Sequence, residues 1–271
     1  MYQFFWLIPL GFIVGTFGTL IGAGGGFILV PILLLIYPEK SPDTITAVSL
    51  AVVFFNSLSG TVAYARMKKI DYKSGLIFAV ATLPGSILGS LTTSFIPRNT
   101  FNLLFGIFLM LGSIYLLIRP QNKNGSRKTT KGKITRSITD IEGVVYTFSY
   151  NPLLGIIISI LVGYISSLLG IGGGIIHVPV MIQLLNFPVH LATATSQFVL
   201  VAMSFSGSIV HVATGVLSSG IMQTIGLSIG VLFGAQVGAR LSKKLKGSWI
   251  VRSLALALGI VGIRILLMSF S

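Results

Sequence analysis

The sequence predicts an all-α polytopic membrane protein built from two homologous repeats. In each repeat a glycine-broken helical hairpin precedes three transmembrane helices. Of the 271 residues, 53% are hydrophobic and only 9% are charged, and the mean hydropathy is +0.94. Several of the ten apolar segments reach the roughly 20 helical residues needed to cross a bilayer. A glycine-rich motif also occurs twice, 148 residues apart, which indicates the duplication.

The apolar segments fall into two groups joined by a polar linker. Residues 1–118 form the predicted first repeat, 119–152 a basic cytoplasmic linker, and 153–271 the second repeat. Seven basic residues lie between Arg119 and Arg136, as expected for a loop that follows the positive-inside tendency. The predicted helical segments are 4–21, 27–37, 44–65, 73–95, 100–118, 153–169, 174–187, 190–214, 217–239 and 249–270.

The two halves repeat several short motifs in the same order. GAGGGFILVP at 22–31 matches GIGGGIIHVP at 170–179. Each is followed by a helix rich in threonine and serine, with TAVS at 46–49 and TATS at 193–196. The further matches are SLSG at 57–60 with SFSG at 204–207, and Gly85 and Gly89 with Gly234 and Gly238. Four matches at a nearly constant offset indicate an internal duplication.

The number of membrane crossings decides whether the repeats are parallel or inverted. Residues 4–37 are too long for one straight helix and too short for two comfortable spans. If both broken pairs form hairpins, each half crosses the membrane an odd number of times. Only then does the basic loop RLSKKLK at 240–246 face the cytoplasm together with the linker and the loop at 66–73. We therefore expect inverted repeats with both termini outside.

Each glycine break is predicted to present helix N-terminal N–H groups to a ligand. A helix that restarts after Gly26 or Gly174 has unpaired N–H groups and the positive end of its dipole there. Two such ends near the membrane midplane suit an anion. The alternative is that the glycines only allow helices to pack closely. The predicted substrate-binding residues at the breaks are Gly24, Gly25, Gly26, Phe27, Gly172, Gly173, Gly174 and Ile175.

Polar side chains in otherwise apolar helices complete the predicted anion site. Hydroxyl and amide donors hold an anion without a permanent charge. The candidates are Thr46, Ser49, Thr193, Ser196 and Gln197. His177 stands where the first motif has Leu29, and it is a candidate proton or anion contact. The alternatives are hydrogen bonds between helices or to a helix's own backbone, and a neutral, hydrogen-bonded ring for His177.

The composition argues against several classes of function. All five acidic residues lie in polar connections, whereas proton pumps and cation carriers place carboxylates inside the membrane. With no Cys and three separated His, we expect no metal site and no cofactor. No acid pair, thiol or metal cluster indicates an enzyme. The basic balance is interpreted as loop anchoring, so the expected partners are the lipid bilayer and a small anion, and not nucleic acid.

The duplicated G-x-GGG-x4-P motif, the basic linker and the chain length together resemble the TauE/SafE family of sulfite exporters. The resemblance covers nearly the whole chain and is carried by GAGGGFILVP with TAVS and GIGGGIIHVP with TATS. It implies a multi-pass plasma-membrane transporter for sulfite or an organosulfonate. We expect outward movement of the anion by alternating access, with the site between the repeats. The alternative is a channel-like, facilitated pathway for small anions.

Overall fold

The computed structural model describes residues 5–118, 134–242 and 247–269. Within these ranges all ten predicted apolar segments form helices, so that prediction is confirmed. The first half contains α1 (Leu7–Ile21), α2 (Gly26–Ile36), α3 (Pro42–Arg66), α4 (Tyr72–Thr93) and α5 (Arg98–Ile118). The second half contains α6 (Pro152–Leu169), α7 (Gly174–Gln183), α8 (Val189–Ala213), a 3-10 turn (Val216–Gly220), α9 (Ile221–Ser242) and α10 (Gly247–Ser269).

The helix lengths agree with a broken pair followed by longer helices in each half. Among the described residues, five helical segments are long and apolar enough to cross a membrane: α3, α4, α6, α8 and α9 with its preceding turn. The arms α2 and α7 have only 11 and 10 residues. The chain is therefore a mostly helical, multi-pass membrane protein.

Left-handed glycines form both helix breaks. Gly22 ends α1 with φ 81°, and Gly25 caps the start of α2 with φ 87°. In the second half Gly170 ends α6 with φ 68°, and Gly173 caps α7 with φ 81°. A side chain with a Cβ is strained in this conformation, so the repeated motif requires glycine at these positions.

The linker contains a β-hairpin, a difference from the all-α prediction. Strands β1 (Ile134–Thr139) and β2 (Val145–Tyr150) pair antiparallel, from Ile134 opposite Tyr150 to Thr139 opposite Val145. Asp140 organises the turn, because its carboxylate accepts the N–H groups of Glu142 and Val144. The part of the predicted linker at 119–133 lies outside the described residues.

Two ion pairs hold the hairpin against the loop between α3 and α4. Arg136 donates to both carboxylate oxygens of Asp71, at 2.8 and 3.3 Å, and Asp71 is fully buried. Lys69 lies 3.6 Å from Asp140. Burial alone would raise the pKa of Asp140, but the two turn amides and the Lys69 charge outweigh it, and its pKa is lowered. The hairpin is thus an ordered part of the fold.

Eight of the ten helices make their most extensive contacts with the other half of the chain, whereas the short arms α2 and α7 pack most against α3 and α8 of their own half. The packed pairs are α1 with α9, α4 with α6, α5 with α10, and α3 with α8. Repeated glycines bring these backbones together: a Cβ on Gly85 would lie 2.8 Å from the amide nitrogen of Tyr164, and one on Gly234 would lie 2.9 Å from that of Thr16. The motif pair Gly85 and Gly234 therefore serves close packing between the halves.

The corresponding helices α3 and α8 run antiparallel through the centre of the molecule. Early in α3, Leu50 lies against Gly207, late in α8. Late in α3, Gly60 lies against Gln197, early in α8. Residue numbers therefore rise along one helix as they fall along the other.

The second pair of corresponding helices, α5 and α10, also runs antiparallel. Gly106 lies against Leu266 near one end of the pair. Towards the other end, Ser113 donates a 2.7 Å hydrogen bond to the carbonyl of Ala255. The same relation between the halves thus holds at the centre and at the side of the molecule.

Candidate functional site

The two glycine breaks touch each other at the centre of the protein. A Cβ added to Gly26 would lie 2.6 Å from the carbonyl oxygen of Gly170, which leaves no room for a side chain. Gly174 faces the carbonyl of Gly22 in the same way. The structure thus brings the predicted glycines of both motifs together, backbone against backbone, and residues 22–27 and 170–175 are all buried.

The restarting helices leave buried amide groups without partners. Within the described residues, the N–H groups of Gly25, Gly26 and Phe27 donate no hydrogen bond. The same holds for Gly173, Gly174 and Ile175. A buried N–H group without a partner is costly and uncommon. Among the described residues, no protein acceptor reaches these six amides.

Two predicted serines connect the halves through these breaks. Ser49 on α3 donates a 2.6 Å hydrogen bond to the carbonyl of Gly170. Ser196 on α8 donates one of 3.1 Å to the carbonyl of Gly22. A serine hydroxyl has one proton to donate. Each serine therefore reaches the predicted site, but in this conformation its proton is engaged by the opposite break.

The two predicted threonines pack against the breaks. Thr46 donates to the carbonyl of Asp43, and Thr193 donates to that of Val189, both within their own helix turn. The methyl group of Thr193 lies 2.8 Å from where Gly22 would place a Cβ, and Thr46 has the same relation to Gly170 at 2.9 Å. Their hydroxyls therefore bond to the backbone of their own helices, which is the alternative to anion binding that the sequence left open.

Gln197 belongs to a polar group that sequence patterns only partly indicate. Its side-chain nitrogen donates a 3.2 Å hydrogen bond to the carbonyl of Gly18, the last turn of α1. Thr19 lies next to it and donates to Asn56, and Ser57 lies beside Gly24 of the first break; these three residues are absent from the predicted set. The signal that could have found Asn56 is an amide in an apolar helix where the other half has Met203.

His177 points away from the contact between the breaks. Its ring packs edge-on against Phe78 of α4, with centroids 5.7 Å apart. Its Nε2 atom lies 3.3 Å from the hydroxyl of Ser159 on α6. The ring is fully buried, so the geometry agrees with the alternative of a hydrogen-bonded core histidine.

Charged groups lie at the two ends of the molecule. At one end Asp43 is 3.3 Å from Nδ1 of His211. At the other, called here the linker end, the hairpin pairs with the loop after α3, and Arg66 and Arg240 line one small cavity of about 240 Å³. No cluster of His, Asp or Glu in the described ranges could hold a metal ion.

A second, apolar cavity of about 640 Å³ opens between α5, α7 and α10. Its walls include the side chains of Ile175 and Pro179 from the second motif and Phe108 from α5. The side chain of Ile175 thus faces hydrocarbon, and only its amide belongs to the break. The cavity offers apolar surface and no charged group to a ligand.

Comparisons with known proteins place this chain among transporters. Residues 7–265 match the family described as "Sulfite exporter TauE/SafE". The chain is 36% identical to the probable membrane transporter protein YunE of Bacillus subtilis, over 96% of both chains. It is 30% identical to a probable membrane transporter protein of Methanocaldococcus jannaschii, over 98% of both chains. No solved structure matches the chain.

Proposed function

This chain belongs to the TauE/SafE family and is a multi-pass plasma-membrane transporter, not an enzyme, and we propose that it exports a small anion of the sulfite or organosulfonate class. The anion binds where the two glycine breaks meet. The single observation that carries this proposal is the set of six buried amides without partners at that contact. Amides at helix starts attract anions.

The electrostatics of the interior support an anion over a cation. The five acidic residues are Glu39, Asp43, Asp71, Asp140 and Glu142. They lie before or in the first turn of α3, at the cap of α4, or in the hairpin turn. None lies beside the breaks, where a carboxylate would compete with an anionic substrate. Ser49 and Ser196 can complete the shell when their present hydrogen bonds exchange for the substrate, and Gln197 can reach it with the side-chain oxygen that has no partner.

The packing supports inverted repeats of residues 1–118 and 153–271. Corresponding helices cross antiparallel, α3 with α8 and α5 with α10, as a two-fold axis in the membrane plane requires. The basic residues Arg66, Arg136 and Arg240 share the linker end, so that end faces the cytoplasm under the positive-inside tendency. The reciprocal bonds of Ser49 and Ser196 fit the same symmetry.

The closed packing around the breaks favours a carrier over a channel-like pathway. Ser49, Ser196 and Gln197 are fully buried. An occluded site is one state of an alternating-access cycle, in which one repeat rocks against the other. Outward movement of an anion from a cell that is negative inside is downhill by about 2.3 kcal/mol per charge for each 100 mV. A coupling ion is therefore not required.

Uptake of labelled sulfite into proteoliposomes tests the proposal, with an imposed potential and sulfonates as competitors. We expect saturable, potential-driven uptake that disappears in the double variant Gly25→Leu with Gly173→Leu. Gly215→Leu is the matched control, because Gly215 also has a positive φ, 76°, but has open space around it. If the folded wild type moves neither sulfite nor sulfonates, the proposal fails. Flux that never saturates would favour a channel.

A further inference from the structure

A group of buried polar side chains packs against the first glycine break. This group, called here the amide cluster, consists of Thr19, Asn56, Ser57 and Gln197. All four side chains have 0% exposure. They come from α1, α3 and α8, and thus from both halves of the chain. The amide cluster is therefore buried at the interface between the two halves.

The contacts of Gln197 fix the direction of its amide. Its Nε2 atom donates to the carbonyl of Gly18, which also accepts the N–H groups of Ala23 and Gly24. A carbonyl oxygen cannot be approached by another oxygen acceptor, so the Gln197 nitrogen must face Gly18. The Oε1 atom then points to the other side, next to Gly60, at 3.2 Å from where a Cβ would stand.

Three polar atoms of the amide cluster have no hydrogen-bond partner among the described residues. They are Nδ2 of Asn56, Oγ of Ser57 and Oε1 of Gln197. The Oδ1 atom of Asn56 accepts from Thr19 at 3.1 Å, and Ser57 lies beside Gly24 of the break. Buried polar atoms are nearly always satisfied. The three atoms are therefore available to an occupant that supplies both acceptors and a donor.

The fold itself does not require polar residues at these positions. At the corresponding positions of the other half, Met203 replaces Asn56 and Leu50 replaces Gln197. Met203 lies 2.9 Å from where a Cβ on Gly173 would stand, so it contacts the second break as Ser57 contacts the first. The second break thus has the thioether of Met203 and the hydroxyl of Ser166 beside it, whereas the amides of Asn56 and Gln197 lie on the side of the first break.

We propose that the amide cluster selects the substrate and that it takes a small oxyanion that also carries a hydrogen-bond donor. Nδ2 of Asn56 and the hydroxyl of Ser57 donate to oxygens of the anion. Oε1 of Gln197 only accepts, so it needs an O–H or N–H group on the ligand. An oxyanion without such a group presents only lone pairs to Gln197 and is disfavoured. This inference rests on the proposed anion transport.

Two sulfonates that differ by one hydroxyl test the inference. Ethanesulfonate and 2-hydroxyethanesulfonate have the same charge and nearly the same size. We expect the hydroxylated compound to inhibit labelled sulfite uptake at about tenfold lower concentration than ethanesulfonate, which is the effect of one hydrogen bond. Gln197→Leu, which copies Leu50, should make the two compounds equal. Thr92→Ala, on a partly exposed position of α4, should keep the wild-type ratio.

The outcomes separate this inference from the proposed function. Equal competition by both sulfonates in the wild type overturns the inference, and the cluster then holds only water, while sulfite uptake still supports anion transport. An unchanged preference in folded Gln197→Leu also overturns it. Should that variant not fold, the Tm of the wild type in the presence of each sulfonate decides. A larger rise in Tm with 2-hydroxyethanesulfonate supports the inference, and equal rises in Tm overturn it.

Discussion

Gly26→Ala should separate the two breaks and destabilise the protein. The new Cβ would stand 2.6 Å from the carbonyl oxygen of Gly170, and ordinary contact begins at 3.4 Å, so the backbones must move apart by about 0.8 Å. The same oxygen accepts the bond from Ser49. Overpacking costs about 1–3 kcal/mol and a weakened hydrogen bond about 1 kcal/mol, which gives about 2–4 kcal/mol in total.

Thermal unfolding of the purified protein in detergent measures this cost. At about 2–4 °C per kcal/mol, the Tm of Gly26→Ala should fall by about 4–16 °C. Gly112→Ala is the matched control, because Gly112 is also helical and its Cβ would meet only Leu258, at an ordinary 3.5 Å. Its Tm should stay level or rise, since alanine is the better helix former. Equal Tm values for the two variants would refute direct contact between the breaks.

Three further changes probe the hairpin and the connection between the halves. Arg136→Ala leaves Asp71 buried without its partner and should destabilise the hairpin by about 2–3 kcal/mol, seen as faster proteolysis; adding Asp71→Asn should restore part of the loss. Because the pKa of Asp140 is lowered, its bonds from the Val144 and Glu142 amides and its pairing with Lys69 stabilise the docked hairpin above the ordinary carboxyl pKa. Hydrogen-exchange protection should fall as the pH drops through the lowered pKa, and not in Asp140→Asn. Ser49→Ala leaves a buried carbonyl with one donor fewer and should lower the Tm by about 2–4 °C.

The helices and breaks are predictable because their signals are local. An apolar run indicates a membrane helix wherever it stands in a chain. The triplets ending at Gly26 and Gly174 indicate a break, since glycine weakens a helix by itself. The hairpin also has a local signal, the alternation in ITRSIT and VYTFSY around Gly143. It is easily missed because its anchoring partners Asp71 and Lys69 lie some 65 residues away.

The roles of the site residues depend on contacts that a single sequence does not reveal. Ser49 and Ser196 are identifiable as polar residues near the breaks, but their bonds to the opposite break depend on how α3 crosses α8. The partners of Asn56 depend on where α1 lies against α3. Motif spacing predicts which residues reach the centre. Only the packing of the two halves determines which of their atoms remain without partners.

Because helices of one half pack against helices of the other, the order of synthesis delays folding. α1 packs chiefly against α9, which begins about 200 residues after α1 ends. At about 5–20 residues per second of synthesis, α1 waits about 10–40 s in the bilayer before its partner emerges. During that interval the face of α1 that carries Gly11 and Gly15, which packs against α9, has no native neighbour. Neither half can complete its native packing alone, so maturation of this protein is a single late event near the end of translation.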